Sequence, residues 1–492
     1  RLAPPQGRFD PADGSFSFTL DDAHRPSRPW INVLANPGFG CHVSEVGAGM
    51  SWAGNSRMHQ LTPWSNDPLA DPAGERLLLE DIDEGLVWTL GQLCEGHAVQ
   101  VTHGIGFTRM QQQLPGLDVT LTWCVDRELP VKQCVVMLRN TGAKARRLRL
   151  VTVAEWVLGA SRRERMSVAT QVEQHAVGPQ GVGLPPPQTA PVLYATQLDH
   201  AGGFGDSTAF LMLQAPAGQP QQPDWTCDRR ELFNAEGCPV LPTRFGQRSG
   251  LGLDPCAAVS CLLTAQPGAT VSAVSILGHA WNPQQARHLA EQVRKSPVSE
   301  RFEQVRAFWN ALCGAREVHS PDPAFDALIN RWLPYQTVVC RLWARAGFYQ
   351  AGGAFGFRDQ LQDAMSMVGH APDLLAQQIR RNAGLQFSEG DVQHWWHEPG
   401  GAGVRTHFND FVLWLPLALG LYVERTGDHG LLDERVPFLQ GAQVPPGRED
   451  VYESPRVSEH VDSLYEHGAL AIDRSLRTGA HGLPLMGTGD WN

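Results

Sequence analysis

The chain has 492 residues, 42% of them apolar and 18% charged. That is the composition of an ordinary globular protein with too much sequence for one core, so two or three domains are expected. A formal net charge of -11 speaks against a nucleic-acid partner, which needs a basic face, and no apolar run reaches the ~20 residues of a membrane-spanning helix.

A membrane is therefore expected to be met only through sequence outside this chain. The sequence opens at Arg1 without Met and stops at Asp490-Trp491-Asn492, and both ends are expected to be cuts through a longer polypeptide. Its ten Cys include no Cys-x-x-Cys pair and sit mostly in apolar text, which predicts reduced, buried thiols and a cytoplasmic setting.

In chain order, the first ~275 residues read as strands. Leu117 to Trp123 and Arg147 to Val153 alternate with period two, and turn clusters such as Asn140-Thr141-Gly142 separate such runs. Repeated short strands without helical text predict a large antiparallel β-sandwich over 1–277. The Pro-rich stretch Gly183 to Pro187 reads as a loop, and the basic stretch Ala145 to Arg149 as a solvated strand face. From Asn282-Pro283, a cap followed by Pro in the first turn, helical text runs to about Gly314 with a break near Pro297. It predicts a helical linker over 278–319. Beyond Ser320 every readable segment looks helical. Phe325, Leu328, Trp332, Val339 and Leu342 share one face, Pro334 is a kink, and Phe411 to Thr426 and Val461 to Leu476 follow the same style. Long aromatic-rich loops separate these helices over 320–492, and loops are where function concentrates.

Three such segments carry polar, aromatic and Gly residues that packing does not demand. In Gly352 to Asp363, an Arg followed by two carboxylates and two amides opens a helix. Arg358, Asp359 and Asp363 can supply donors and acceptors for vicinal hydroxyls; helix capping by an Arg–Asp pair is the alternative. In Asp391 to His397, two His flank Trp395 and Trp396. No third ligand is suitably spaced for a metal, so a sugar-stacking wall is expected, with core packing as the alternative. In Met486 to Asn492, small residues ahead of Asp-Trp-Asn let the backbone approach a ligand.

Together these segments resemble glycoside hydrolase family 94, which contains the cellobiose, cellodextrin and chitobiose phosphorylases. Within it the resemblance is strongest to the phosphorylase-like region of cyclic β-1,2-glucan synthases. It is carried by Ala35 to Gly40, Ser44 to Gly49, Trp52 to Arg57, Leu61 to Pro68, Glu155 to Gly159, Arg358 to Asp363, His394 to His397 and Leu483 to Asn492. The Trp52 to Arg57 string speaks against a stand-alone cellobiose or cellodextrin phosphorylase. The resemblance implies a β-sandwich, a helical linker and the first part of an (α/α)6 barrel. It also implies inverting phosphorolysis of β-glucosides: a carboxylic acid protonates the glycosidic oxygen while phosphate attacks from the opposite face, taking the place of the water of an inverting hydrolase.

The family's general acid falls directly after Asn492, so no catalytic residue is assigned within this chain, and the 492 residues alone are expected to be inactive. Arg358 and Asp363 are implied to hold the glucose, Trp491 to stack on it, and Asp359 and Arg345 to assist; Asp490 is not the acid. Inorganic phosphate is the co-substrate and no cofactor or metal is implied. A β-linked glucan is the partner, a homodimer is possible within the family, and the parent would sit at the cytoplasmic face of an inner membrane. Ala402, Glu398, Phe411, Gly468 and Leu470 depart from the family pattern, Ala402 by removing a cation. A glucan-holding module that has lost catalysis is the competing function.

Overall fold

A computed structural model describes residues 3–47, 49–93, 96–177, 188–216, 224–236 and 238–487. The chain divides into two compact units. The first contains Arg1–Trp309, Ser320–Leu328 and Ala346–Ala351, and the second Asn310–His319, Ile329–Arg345 and Gly352–Asn492. The Pro-rich stretch Gly183 to Pro187 lies outside the described residues.

The first unit is a strand assembly. Its early strands are β1 (Arg8–Phe9), β2 (Phe16–Leu20), β3 (Ile31–Asn36), β4 (Phe39–Ser44), β5 (Gly49–Ala53), β6 (Glu75–Asp81) and β7 (Leu86–Thr89). They are followed by β8 (Val99–Gly104), β9 (Phe107–Leu114), β10 (Leu117–Val125), β11 (Val131–Asn140) and β12 (Arg146–Glu155). The last six are β13 (Val168–Val177), β14 (Gln188–Gln197), β15 (Thr208–Gln214), β16 (Asp224–Asp228), β17 (Pro255–Ala265) and β18 (Thr270–Ala280). Ten of them form a sheet in the order β1-β2-β8-β9-β10-β11-β18-β15-β14-β13, five form β16-β17-β12-β6-β7, and three form β3-β4-β5.

Alternation decides which residues fill the space between the sheets. Leu117, Val119 and Leu121 of β10 and Val136 and Leu138 of β11 meet Leu148 and Leu150 of β12 and Leu77 and Leu79 of β6 in one buried cluster. Seven of the nine described cysteines are buried free thiols, and burial pushes those of Cys41 and Cys124 up to about 12. Lys132 is also buried; it pairs with Glu75 and donates to Ser51 Oγ (2.8 Å).

Arg149 corrects the expectation of a solvated basic stretch. A loop covers the outer face of its sheet, so the guanidinium is buried. It is held by Asp224 (2.5 Å), Glu80 (3.3 Å) and the carbonyl of Pro242 (2.7 Å), with the ring of Phe245 against it at 4.9 Å. The helical text behaves as read. Asn282 Oδ1 accepts from the Gln285 amide (2.9 Å) to start α1 (Pro283–Lys295), and α2 (Val298–Cys313) follows the break. Ala286, Leu289, Ala290 and Val293 of α1 pack on Tyr194, Phe210, Met212 and Ile276 on the outer face of the large sheet.

The second unit departs from the all-helical expectation for 320–492. Its helices α5 (Phe357–Ser366), α6 (Pro372–Ala383), α7 (Asp410–Thr426) and α8 (Leu464–Ser475) pack together. Between them lie β19 (Ala354–Gly356), β20 (Gln393–His397), β21 (Gly403–Thr406) and β23 (Asp450–Glu453) in one sheet, and β22 (Arg435–Gln440) paired with β24 (Arg456–Ser463). Aromatic loop text pairs as strands because alternating large rings suit a pleated surface. Val461 thus lies within β24, and α8 starts at Leu464, where Ser463 Oγ accepts from the Glu466 amide (3.2 Å).

The run from Pro323 also differs. Two short α-helices, α3 (Pro323–Ala327) and α4 (Leu333–Gln336), alternate with π-helical turns over Leu328–Trp332 and Thr337–Trp343. Pro334, which has no N–H to give, sits in the first turn of α4, with a π-helical turn on either side of that helix. The changed pitch breaks the single face: Trp332, Val339 and Leu342 are buried, but Phe325 and Leu328 are 46% and 40% exposed.

Within the first unit, His59 Nδ1 meets the Ala53 carbonyl (2.9 Å), and Ser207 Oγ lies 2.8 Å from Nε2 of both His59 and His279. The carbonyl only accepts, so His59 carries its proton on Nδ1, Ser207 donates to His59 Nε2, and His279 Nε2–H donates to Ser207. The order requires the His59 ring to be neutral, since its Nε2 accepts. Burial lowers the pKa of His42, His59 and His103 to about 4, and that of His279 well below normal. Glu45, which burial raises to about 7, works in the opposite direction.

A depressed histidine binds a proton in the unfolded chain before the folded one, so stability is full above pH ~6.5 and falls towards pH 4. Each such histidine costs about 1.4 kcal/mol per pH unit in that window. With four histidines outweighing the carboxyls that burial raises, Glu45 and Asp71 in this unit, the denaturant midpoint should drop steeply between pH 6.5 and 4.5; a midpoint flat across that range would show these rings already charged.

Candidate functional site

The sequence-predicted polar residues of the helical unit form a belt. Gly356 precedes α5 as its cap residue and leaves room for a carboxylate: a Cβ there would stand 2.3 Å from Asp359 Oδ2. Asp363, one turn on, accepts from Arg341 Nε (2.9 Å), with Arg345 Nη1 at 4.0 Å. Both contacts fall on Oδ2. Burial raises the Asp363 carboxyl above its usual range, although Arg341 and Arg345 oppose it. Arg345 is held through Nε to the Ala354 carbonyl (2.9 Å) and adopts a φ of 48°, a left-handed conformation unusual for a long side chain. Burial also lowers its pKa, against the attraction of Asp359 and Asp363.

Arg358 is on the same helix as Asp363 but turned elsewhere. Its Nη1 reaches Asp410 Oδ2 at 3.2 Å, and its guanidinium lies 5.0 Å from the Trp414 ring. His394 links the two halves electrostatically. Burial lowers its pKa while Asp359 and Asp410 raise it, and Phe408 and Phe411 pack on its ring. The belt thus runs Arg341, Asp363, Arg345, Asp359, His394, Asp410, Arg358. The capping alternative does not describe it, because no side chain caps α5. Trp491 and Asp490 lie outside the described residues.

The two Trp of the second segment divide between opposite faces of β20. Trp396 is buried, stacked 6.1 Å from Phe355, with Nε1 donating to Glu398 (2.8 Å). Trp395 instead stands with His397 (5.2 Å) and Tyr452 (5.8 Å). One Trp is core, as the packing alternative has it, and the other remains available as a wall. Glu398, a departure from the family pattern, pairs with Arg381 (2.6 Å). Phe411, another, fills the space beside His394 at 4.1 Å.

Sequence reasoning missed Arg341 and Asp410. Arg341 and Arg345 stand four apart, a spacing that places them together on a regular helix. Asp410 lay in text read only as the approach to a helix.

With this geometry in view, comparison with known proteins identifies the family. Residues 15–296 match the glycosyl hydrolase 94 supersandwich domain and residues 308–492 the glycosyl hydrolase 94 superfamily catalytic domain, and the chain belongs to that family. It is 37% identical to the cyclic β-(1,2)-glucan synthase NdvB of Rhizobium meliloti (strain 1021), over 99% of this chain and 17% of that protein. It is 23% identical to the N,N'-diacetylchitobiose phosphorylase of Vibrio proteolyticus, over 99% of this chain and 61% of the relative. The chain therefore spans less than two thirds of either relative. A solved structure from the human microbiome, provisionally named a kojibiose phosphorylase, shares the fold with a TM-score of 0.53 at 8% identity, over 88% of this chain and 59% of that one.

The strands next to the belt hang on Arg405 of β21. Its side chain is 2% exposed and binds Asp391 through two bonds of 2.7 Å, with Glu389 at 3.2 Å and the Phe387 ring at 3.8 Å. Asp391→Ala would leave a buried cation short of its main partner, which costs about 3–5 kcal/mol. Chemical denaturation should show a loss of that size. A loss below about 1 kcal/mol would mean that Glu389 alone suffices.

Proposed function

We propose that the helical unit holds the glucosyl residue of a β-linked glucan for inverting phosphorolysis, as part of a cyclic β-1,2-glucan synthase-type polypeptide. The described helices are then the first part of an (α/α)6 barrel. The observation carrying this reading is the placement of Asp363. Two guanidinium groups approach its Oδ2, so Oδ1 can accept from a sugar hydroxyl while Arg345 and Asp359 serve neighbouring hydroxyls. Arg358, steered by Asp410, completes the grip, and Trp491 supplies the stacking floor. Hydroxyls both donate and accept, and alternating guanidinium and carboxylate groups match that pattern without net charge.

In this reaction the chain's own residues bind and orient the sugar. The proton donor is the carboxylic acid that the family places directly after Asn492. Inorganic phosphate attacks the anomeric carbon on the face opposite to the leaving oxygen, so the product is an inverted glucosyl phosphate. No resident cofactor is required. The competing reading, a module that holds glucan without cleaving it, is favoured by one feature: Ala402 leaves the Gly400–Gly403 loop without a cation of its own.

Arg358→Ala and Asp363→Ala should each weaken binding of β-1,2-linked glucooligosaccharides about tenfold or more, since a lost partner to a buried hydroxyl costs about 1–3 kcal/mol. Titration calorimetry on the 492-residue chain reads the effect. Unchanged affinity in either variant would remove that residue from the sugar site. Release of glucose 1-phosphate by the longer gene product, given β-1,2-glucan and phosphate, separates the enzyme from the holding module.

A further inference from the structure

The outer face of the large sheet carries a feature that the catalytic reading does not use. Only part of that face lies under α1. Over β2 and β8 to β11 it is open, and strand register sets its side chains in rows. One row runs Thr19, Gln100, Gln111, Thr120, Met137 and Ser272 across six adjacent strands. The next places Gln113, Asp118, Arg139 and Thr270 side by side. All of these but Ser272 line a furrow with about 1420 Å³ of open space. Through Thr19 and Gln100 it continues into a second hollow of about 930 Å³ beside the segment from Ala3 to Arg8. At ~4.8 Å per strand, six strands make the furrow about 24 Å long, far more than one small molecule needs.

The lining decides what fits. Asp118 and Arg139 face each other across β10 and β11 and cancel, so the described lining of the furrow is close to neutral within a chain of net charge -11, and a polyanion or polycation finds no complement there. Among the described residues Met137 is the large exposed apolar side chain in it, at 44%; a protein partner would require an apolar, aromatic centre. Gln100, Gln111 and Gln113 each present a carboxamide that donates and accepts, as a hydroxyl does. We propose that this furrow binds an extended, neutral chain of β-linked glucose units through residues other than those of the Asp363 site.

The proposal rests on the glucan-handling reading, and the test keeps the two apart. Linear β-1,2-glucan is run through native gels with the 492-residue chain, and retardation is compared with the affinity for a short β-1,2-glucooligosaccharide. Gln111→Ala with Gln113→Ala, both on exposed side chains, should weaken polymer retention about tenfold and leave the oligosaccharide affinity unchanged; Gln100→Ala alone should give a smaller loss of the same kind. Asp363→Ala should do the reverse. Glutamine variants that retain polymer as the parent chain does would overturn the furrow while leaving the site standing. A parent chain that retains no β-glucan polymer would overturn it as well. A pair of Ala variants with an altered circular dichroism spectrum is replaced by Thr120→Arg, which obstructs the furrow instead and should abolish retention.

Discussion

The helical unit depends on one guanidinium. Arg405 projects from a short strand into a space closed by Asp391, Glu389 and the ring of Phe387, and also donates to the Ala442 carbonyl at 3.1 Å. A buried cation is tolerated only when it is both paired and fully hydrogen-bonded. Asp391 leads into β20 and Ala442 follows β22, so satisfying this charge fixes the mutual placement of three strand segments. Because β20 also carries His394 and Trp395, the candidate site inherits its geometry from an ion pair that touches none of the residues of the belt.

Arg149 applies the same logic in the sandwich unit, where a loop rather than a strand closes over the charge. In both places the sequence shows an ordinary basic residue on a strand. What differs is a covering segment far away in sequence: Pro242 is 93 residues from Arg149. Periodicity over a window of ten residues cannot report such a cover, and that is why the Ala145 to Arg149 stretch was readable as a strand but not as a buried one.

Local rules did better where the deciding contact is also local. Asn282-Pro283 marks a helix start whose hydrogen bond spans three residues, and Leu117 to Trp123 forms a strand because alternate side chains must fill one core. Ser463-x-x-Glu466 carried the same kind of signal, but the apolar spacing from Val461 obscured it. At the site, Arg358, Asp359 and Asp363 were legible as a cluster from one loop, whereas Arg345 entered only through the family resemblance. The separation of Arg358 towards Asp410 was not, since it depends on how α7 packs against α5. Nor was the sheet formed by Gln393 to His397, because its partners are brought together only by the fold.

The π-helical turns between Leu328 and Trp343 have a further consequence. A π turn holds more residues than an α turn, and single-turn π segments behave as residues absorbed into a helix without breaking it. Removing one residue from Thr337–Trp343 would let the segment relax to ordinary α pitch while the chain on either side keeps its register. Arg341, inside the turn, is the belt residue whose direction would change, by about 100° around the axis, one residue's share of a 3.6-residue turn. Substitution within the turn leaves that placement untouched, so these positions can diverge in sequence as long as the turn keeps its length.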